Sequence, residues 1–167
     1  MCLIPTGITR QCEYNFGGLS KVYLGNKKHF IVSKNSDNVI TGFTMNGGSF
    51  YEFEAEPETS QLLESLQAGN ASKFILQTVN FTLTNITQEK KEVLEALGLA
   101  LVGAIVVYQN GIIKLAGEYG AGLKSVTGDL DSGTAFGDLN GATISLQGGS
   151  LGYANEVTPQ ALQQAIS

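Results

Sequence analysis

The 167-residue chain carries few side chains equipped for chemistry, and they are thinly spaced. Its single histidine, His29, follows Lys27 and Lys28, and its only cysteines are Cys2 and Cys12. One His and a Cys-x9-Cys spacing match no common zinc pattern. The two thiols read as reduced cysteines, or as a disulfide in an oxidising setting. A Ser–His–Asp or Cys–His nucleophile would have to use His29, and the chain is expected to lack a Gly-x-Ser-x-Gly nucleophile elbow anywhere. His29 therefore reads as a solvated or capping residue. Gly120 and Gly122 begin a Gly-x-Gly-x-x-Gly pattern, but Ser125 stands at the third glycine position and no helix follows to meet a phosphate. Turns and close strand crossings explain these glycines better.

Three aspartates, Asp129, Asp131 and Asp138, hint at a divalent-metal loop. An EF-hand needs Gly at position 6 and Glu at position 12. Counted from Asp129, those positions hold Thr134 and Asn140. A metal-assisted hydrolase built on the three aspartates is one alternative, and a polar loop with Asx turns is the plainer one. Carboxylates cluster more tightly at Glu52, Glu54 and Glu56, on one side of an alternating run whose other side is Tyr51, Phe53 and Ala55. Residues i and i+2 of a strand stand about 6.5–7 Å apart, so the three form a ladder of like charge. Glu58 and Glu64 extend it, and no Lys or Arg occurs between Lys34 and Lys73. The ladder reads either as a solvated outer face or as a wall that repels a polyanion, with a reach of about 8 Å at physiological salt.

The elements that must position these groups are mostly strands. Residues 21–24 and 30–33 read as strands around a turn at Gly25-Asn26, and 39–45 as another, closed by Asn46-Gly47-Gly48. Residues 50–56 and 74–84 alternate, the latter with Ile75, Val79, Phe81 and Leu83 on one face. Between them, Thr59 is expected to cap a short helix carrying Leu62, Leu63 and Leu66. Thr87 caps a longer helix with an apolar stripe of Val93, Leu94, Leu97 and Leu101, ending near residues 98–103. Residues 104–108 and 112–116 flank Gln109-Asn110-Gly111, a strong hairpin signal. A glycine-rich loop over 117–141 and a strand over 143–147 complete the body, with a short strand or arm after Ser150. The fold class is α+β, mostly β: a β-sandwich or barrel with one flanking α-helix, in a single domain over 1–167. Residues 1–16 and 150–167 are expected as extended arms.

Composition sets the class. Charged residues make up 15% of the chain, against about 25% in an ordinary soluble domain. Glycine accounts for 21 of 167 residues, about 13% against a usual 7%. The net charge is -5, which argues against a basic nucleic-acid binder. No secretory signal is visible, and the apolar run at 97–108 is shorter than the about 20 residues a membrane span needs. A soluble protein made in the cytosol, without a membrane anchor, is expected. The Asn-x-Ser/Thr sequons at Asn70, Asn80 and Asn85 then read as chance.

Three stretches carry a resemblance. They are GGLSKVYLGN at residues 17–26; NFTLTNIT at 80–87, leading into a helix and then VVYQNG at 106–111; and GEYGAGL at 117–123 followed by GDLNGATI at 137–144. Together they resemble bacteriophage tail proteins of the tail-tube type, in particular the virion tail and ring proteins of crAss-like phages infecting Bacteroidetes. The resemblance implies a homo-oligomeric ring or tube in the virion tail, made in the host bacterial cytoplasm, with adjacent tail or connector proteins as partners. DNA would pass through without specific binding during ejection. No catalytic residue, metal or cofactor is implied. Glu52, Glu54 and Glu56 would face the lumen, and Asn110, Gly111, Gly120, Gly122, Asp138 and Asn140 would belong to assembly hairpins and loops. A head–tail connector or terminator ring and a small-ligand-binding β-barrel are the alternatives.

Overall fold

The computed structural model describes residues 3–167. Strands hold 46% of the residues and helices 14%, so the chain is mostly β, with helices flanking the sheet. Every pairing between its strands is antiparallel. In chain order the elements are β1 (Leu19–Asn26), a 3-10 turn (Lys27–His29), β2 (Phe30–Lys34), β3 (Ile40–Met45), β4 (Tyr51–Phe53), β5 (Gln61–Ala68) and β6 (Lys73–Thr84). Then follow α1 (Gln88–Leu99), β7 (Leu101–Tyr108), β8 (Ile113–Ala116), β9 (Leu123–Asp131), β10 (Gly141–Ser150), β11 (Asn155–Glu156) and α2 (Pro159–Ile166).

The body is organised around β7. One edge of β7 pairs with β1 along its length; the other pairs first with β9, at Leu101 and Val102, and then with β8. From β9 the sheet continues through β10 and β6 to β5. This branch curls back until the Leu19 N–H donates to the Ser60 carbonyl at 3.4 Å, just before β5 begins. The curled sheet encloses a core that includes Val22, Val79, Phe81, Val106, Ile144 and Leu146. A second core lies behind it, where Ile105 and Leu115 pack against Phe30, Phe43 and Phe50 and against Ala161 and Leu162 of α2. The β2–β3 hairpin and α2 thus form an outer layer on β1, β7 and β8. No helix among the described residues is long and apolar enough to cross a membrane.

Several local expectations are corrected. Gly25 is no turn: β1 runs through it, and a Cβ there would stand 3.0 Å from the Phe50 ring, so glycine serves close packing. Strand β2 pairs with β3 and not with β1. The helix expected after Thr59 is strand β5, zipped to β6 over eight residues. Thr59 instead stitches the corner before it: its hydroxyl donates to the Glu56 carbonyl at 2.6 Å and accepts from the Thr82 N–H at 3.3 Å. The stretch 117–141 contains β9, which low apolar content conceals in the sequence but which pairs with β10. Helix α1 starts at its Thr87 cap, yet Leu101 belongs to β7 and Val93 is exposed, leaving Leu97 as its buried anchor. Among the described residues a second α-helix, α2, joins the flanking helix α1. The tail after Ser150 forms β11 and α2, packed on β3 and ending with the Phe50 N–H donating to the Ala165 carbonyl at 2.9 Å. Thr158 caps α2 and Pro159 opens it, a start signal present in the sequence.

Burial on both faces makes β7 the sensitive element. Ile105→Ala should destabilise the protein by about 2–5 kcal/mol, whereas Val93→Ala on the exposed face of α1 should stay within about 0.5 kcal/mol of the parent; urea unfolding of both variants measures the contrast.

Candidate functional site

The acidic ladder is exposed, as its alternation requires, with Phe53 and Ala55 turned toward the first core. Tyr51, expected to share that inward face, is 61% exposed. Strand β4 ends at Phe53, so Glu54 and Glu56 lie on the corner that carries the chain over to β5. The carboxylates are partly engaged. Glu52 pairs with Lys21 across the β1–β4 ladder at 3.2 Å, and its hydrogen bond, helped by Tyr23, raises the Lys21 pKa. Glu56 accepts from the Thr84 hydroxyl at 3.2 Å. The ladder is therefore one acidic corner with its first rung tied down.

The expected assembly residues occupy three places. Asn110 and Gly111 form the β7–β8 turn. Gly111 has φ +88°, whereas Asn110 keeps an ordinary φ and uses its side-chain oxygen to accept from the Ile112 N–H at 3.1 Å. Gly120 and Gly122 lie near the opposite end of β7. A Cβ at Gly122 would stand 2.7 Å from the Val102 carbonyl, so this glycine permits a close backbone crossing, with no helix behind it to meet a phosphate. Asp138 and Asn140 lie in the β9–β10 loop. The Asp138 carboxylate accepts from the N–H groups of Ala135 at 2.7 Å and Thr134 at 2.9 Å, and from the Thr134 hydroxyl at 3.0 Å. These bonds, Ala135 first, hold its pKa below the ordinary value of 3.8. Asp131 closes its own turn on the Gly133 N–H. Among the described residues no three His, Cys, Asp or Glu side chains gather in a metal-binding group; Asp129 lies within β9 opposite Thr143, while Asp131, at the end of β9, and Asp138 serve the turns beyond it.

Half-buried His29 fills the space left by Gly48, where a Cβ would stand 2.5 Å from its Nδ1. Contrary to the expectation of no such elbow, residues 148–152 read Gly-Gly-Ser-Leu-Gly and match the pattern Gly-x-Ser-x-Gly. The pattern requires a strand–turn–helix context and an exposed hydroxyl. Here Ser150 ends β10, is buried, and donates to the Gly152 carbonyl at 2.7 Å. Cys12 is exposed on the N-terminal segment, and Cys2 lies outside the described residues.

Two polar clusters, one half-buried and one built on the buried Gln77, are not expected from the sequence. The loop after β8 carries Glu118 and Tyr119. The Glu118 carboxylate pairs with the Lys34 ammonium and accepts from Asn155 Nδ2 at 2.7 Å, and Lys34 donates to the Tyr119 hydroxyl at 3.0 Å. Burial works against the Lys34 charge, but Glu118 and Tyr119 outweigh it and raise the pKa. Lys27 donates to the Glu118 carbonyl and lies 4.9 Å from the Phe30 ring centroid, its pKa lowered by burial against the pull of Glu118. At one end of the first core, Gln77 donates to Glu64 at 2.9 Å and accepts from the Gly117 N–H at 2.9 Å. Gln77 is the one polar member of the inward set Ile75, Gln77, Val79 and Phe81, which is the signal that could have found it. Both clusters pin loops; every buried side-chain polar atom among the described residues is partnered.

Open clefts of about 320 and 390 Å³ flank α1, sharing Lys91 and Leu130. They are shallow and mix apolar with polar walls. No protein-family model, curated protein or solved structure matches the chain.

Glu118→Ala should lower stability by about 1–2 kcal/mol, because it removes the carboxylate partner of a half-buried ammonium. The Lys34 pKa is raised above 10.5, so its contribution is intact below that pH and disappears as pH rises through the higher folded value. Urea unfolding of parent and variant between pH 7 and alkaline pH should show the two converging.

Proposed function

We propose that this chain is a structural virion subunit of a phage tail, assembling with copies of itself into a ring or tube whose channel DNA traverses during ejection. The resemblance of residues 17–26, 80–87, 106–111, 117–123 and 137–144 to tail-tube proteins supplies the class. The observation that carries it is a surface left unfinished. Strand β5 ends the sheet, and the outer face of β5, β6 and β10 presents Gln61, Leu63, Ser65 and Gln67, then Leu76 and Asn80 beside the buried Thr78 and Thr82, then Thr143, Ser145 and Gln147, without a charged side chain. An isolated protein guards such an edge with charge, proline or a covering element. Closed homo-oligomers cover it with a neighbour.

The acidic corner supports the DNA-channel assignment. Glu52, Glu54, Glu56 and Glu58 fall within seven residues and are exposed, giving a surface that repels phosphates at contact range and leaves DNA free to slide. Two clusters, in two different regions, thus divide the chain's work: a neutral face for neighbours and an acidic corner for the lumen. A ligand-binding barrel is less well supported, because Phe81, Val79, Leu123, Ile144 and Leu146 fill the interior where a ligand would sit.

Light scattering and negative-stain electron microscopy of the purified protein test assembly; rings or stacked rings are expected, and a monomer at every concentration would overturn it. Rings found once per virion at the head–tail junction would assign the connector or terminator station instead. For the lumen, the parent protein should leave duplex DNA unretarded on a native gel. Glu52→Lys, Glu54→Lys and Glu56→Lys together should retain DNA at low salt and release it as salt rises.

A further inference from the structure

Residues 3–18 form no regular structure and lie exposed along their length. Their large apolar side chains are bare: Ile8 and Tyr14 are fully exposed, and Phe16 is 75% exposed. Yet from residue 8 the sequence alternates as a strand does. Ile8, Arg10, Cys12, Tyr14 and Phe16 share one face, and Thr9, Gln11, Glu13 and Asn15 the other. A chain with this period is built to be paired, and among the described residues the segment 8–16 makes only the hydrogen bond from Asn110 to Asn15 at 3.1 Å.

Strand β5 offers the complementary edge. It pairs with β6 on one side only. Its inward face reads Leu62, Glu64, Leu66, and its outward face Gln61, Leu63, Ser65, Gln67. The two patterns match in a single antiparallel register. Arg10 then lies opposite Glu64, Ile8 opposite the 59%-exposed Leu66, Cys12 opposite Leu62, and Gln11 opposite Leu63. The one basic residue of the segment meets the one acidic residue of the edge, whose Oε1 already accepts from Gln77 and from the Ala154 N–H, so Arg10 would add its charge to a carboxylate held in place, and apolar meets apolar on either side. The polar residues Thr9 and Gln11 would extend the uncharged outer face, and Glu13 would stand at its end opposite Gln61.

We infer that residues 8–16 of one copy add as an antiparallel strand to the β5 edge of a second copy. The segment leaves its own body beside Ser60, where the Leu19 N–H meets the Ser60 carbonyl. From there Gly18, at φ +87°, turns it away from its own β5 toward the β7–β8 turn, where Asn110 holds Asn15. Glycines at 17 and 18 form the joint that lets it reach a neighbour. Strand addition supplies a row of main-chain hydrogen bonds with side-chain pockets setting the register, and it removes the exposed edge. The inference rests on the self-assembly reading and names the contact that would carry it.

Cysteine cross-linking in the full chain tests it. In a Cys2→Ser, Cys12→Ser background, Gln11→Cys is placed on one chain and Leu63→Cys on another carrying a tag of different size, and the two are co-expressed. Both positions are exposed, so neither substitution threatens the fold. Mild oxidation should give a mixed-tag disulfide dimer, and Arg10→Glu should reduce its yield several-fold while leaving the melting temperature unchanged. A chain carrying both cysteines that links only to itself, or assembled protein that gives no mixed dimer, would overturn the strand addition while leaving self-assembly standing. Protein that sediments as a monomer at all concentrations would overturn both.

Discussion

Strand β7 has to satisfy two cores at once, and the rest of the fold follows from that demand. Val102, Ala104 and Val106 face the curled sheet, while Ile105 faces the layer of β2, β3 and α2. Between them Gly103 has no side chain because the Phe30 ring occupies the space; a Cβ there would stand 2.5 Å from the ring carbon Cζ. A strand apolar on both faces cannot lie at a surface. It must be covered front and back, which the β6–β10 branch and the α2 layer accomplish. The same strand hands its second edge from β9 to β8 partway along, and the glycine crossing at residues 117–122 makes that exchange sterically possible.

Burying β7 so thoroughly leaves the outer strands under-covered. Strand β5 closes the curl only at Ser60 and then runs on with a free edge, and α1 rests on β9 through Leu94 and Leu97 while Leu130 stays 54% exposed. Charge would ordinarily defend such surfaces, and this chain has little. Its acidic excess is concentrated at the corner between β4 and β5, beside a neutral sheet face. A low charge count is a hazard for a solitary domain and an advantage for a subunit, since covering a charged side chain with a neighbour carries a desolvation cost.

Legibility in the sequence tracks whether a signal is local. Asn110-Gly111 between β-branched runs marks the β7–β8 hairpin, the alternation of Ile75 to Leu83 marks β6, and Thr87 marks the start of α1. Leu62, Leu63 and Leu66 satisfy a helix stripe as readily as a strand, and only pairing with β6 decides between them. Strand β9 has Gly128 and Asp129 where apolar residues would announce it, so its existence depends on β10. The α2 start at Thr158-Pro159 is a local signal that composition of the tail obscures. At the site, the acidic run is plain in the sequence, but the end of β4 at Phe53 and the tether of Glu52 to Lys21 are not. The Lys34–Glu118–Asn155 cluster joins three distant stretches, and no local pattern foretells it. Ser150 gives the converse lesson: the elbow pattern is present in the letters and absent in the geometry, because burial and the missing helix remove its chemistry.

Amide hydrogen exchange followed by mass spectrometry, on dilute and on concentrated protein, tests most directly whether this is an incomplete subunit completed by its own copies. The account predicts that the amides of β5 and of residues 8–16 gain protection together as concentration rises, while those of β7 are protected throughout. Equal exchange of β5 and residues 8–16 at both concentrations would contradict it.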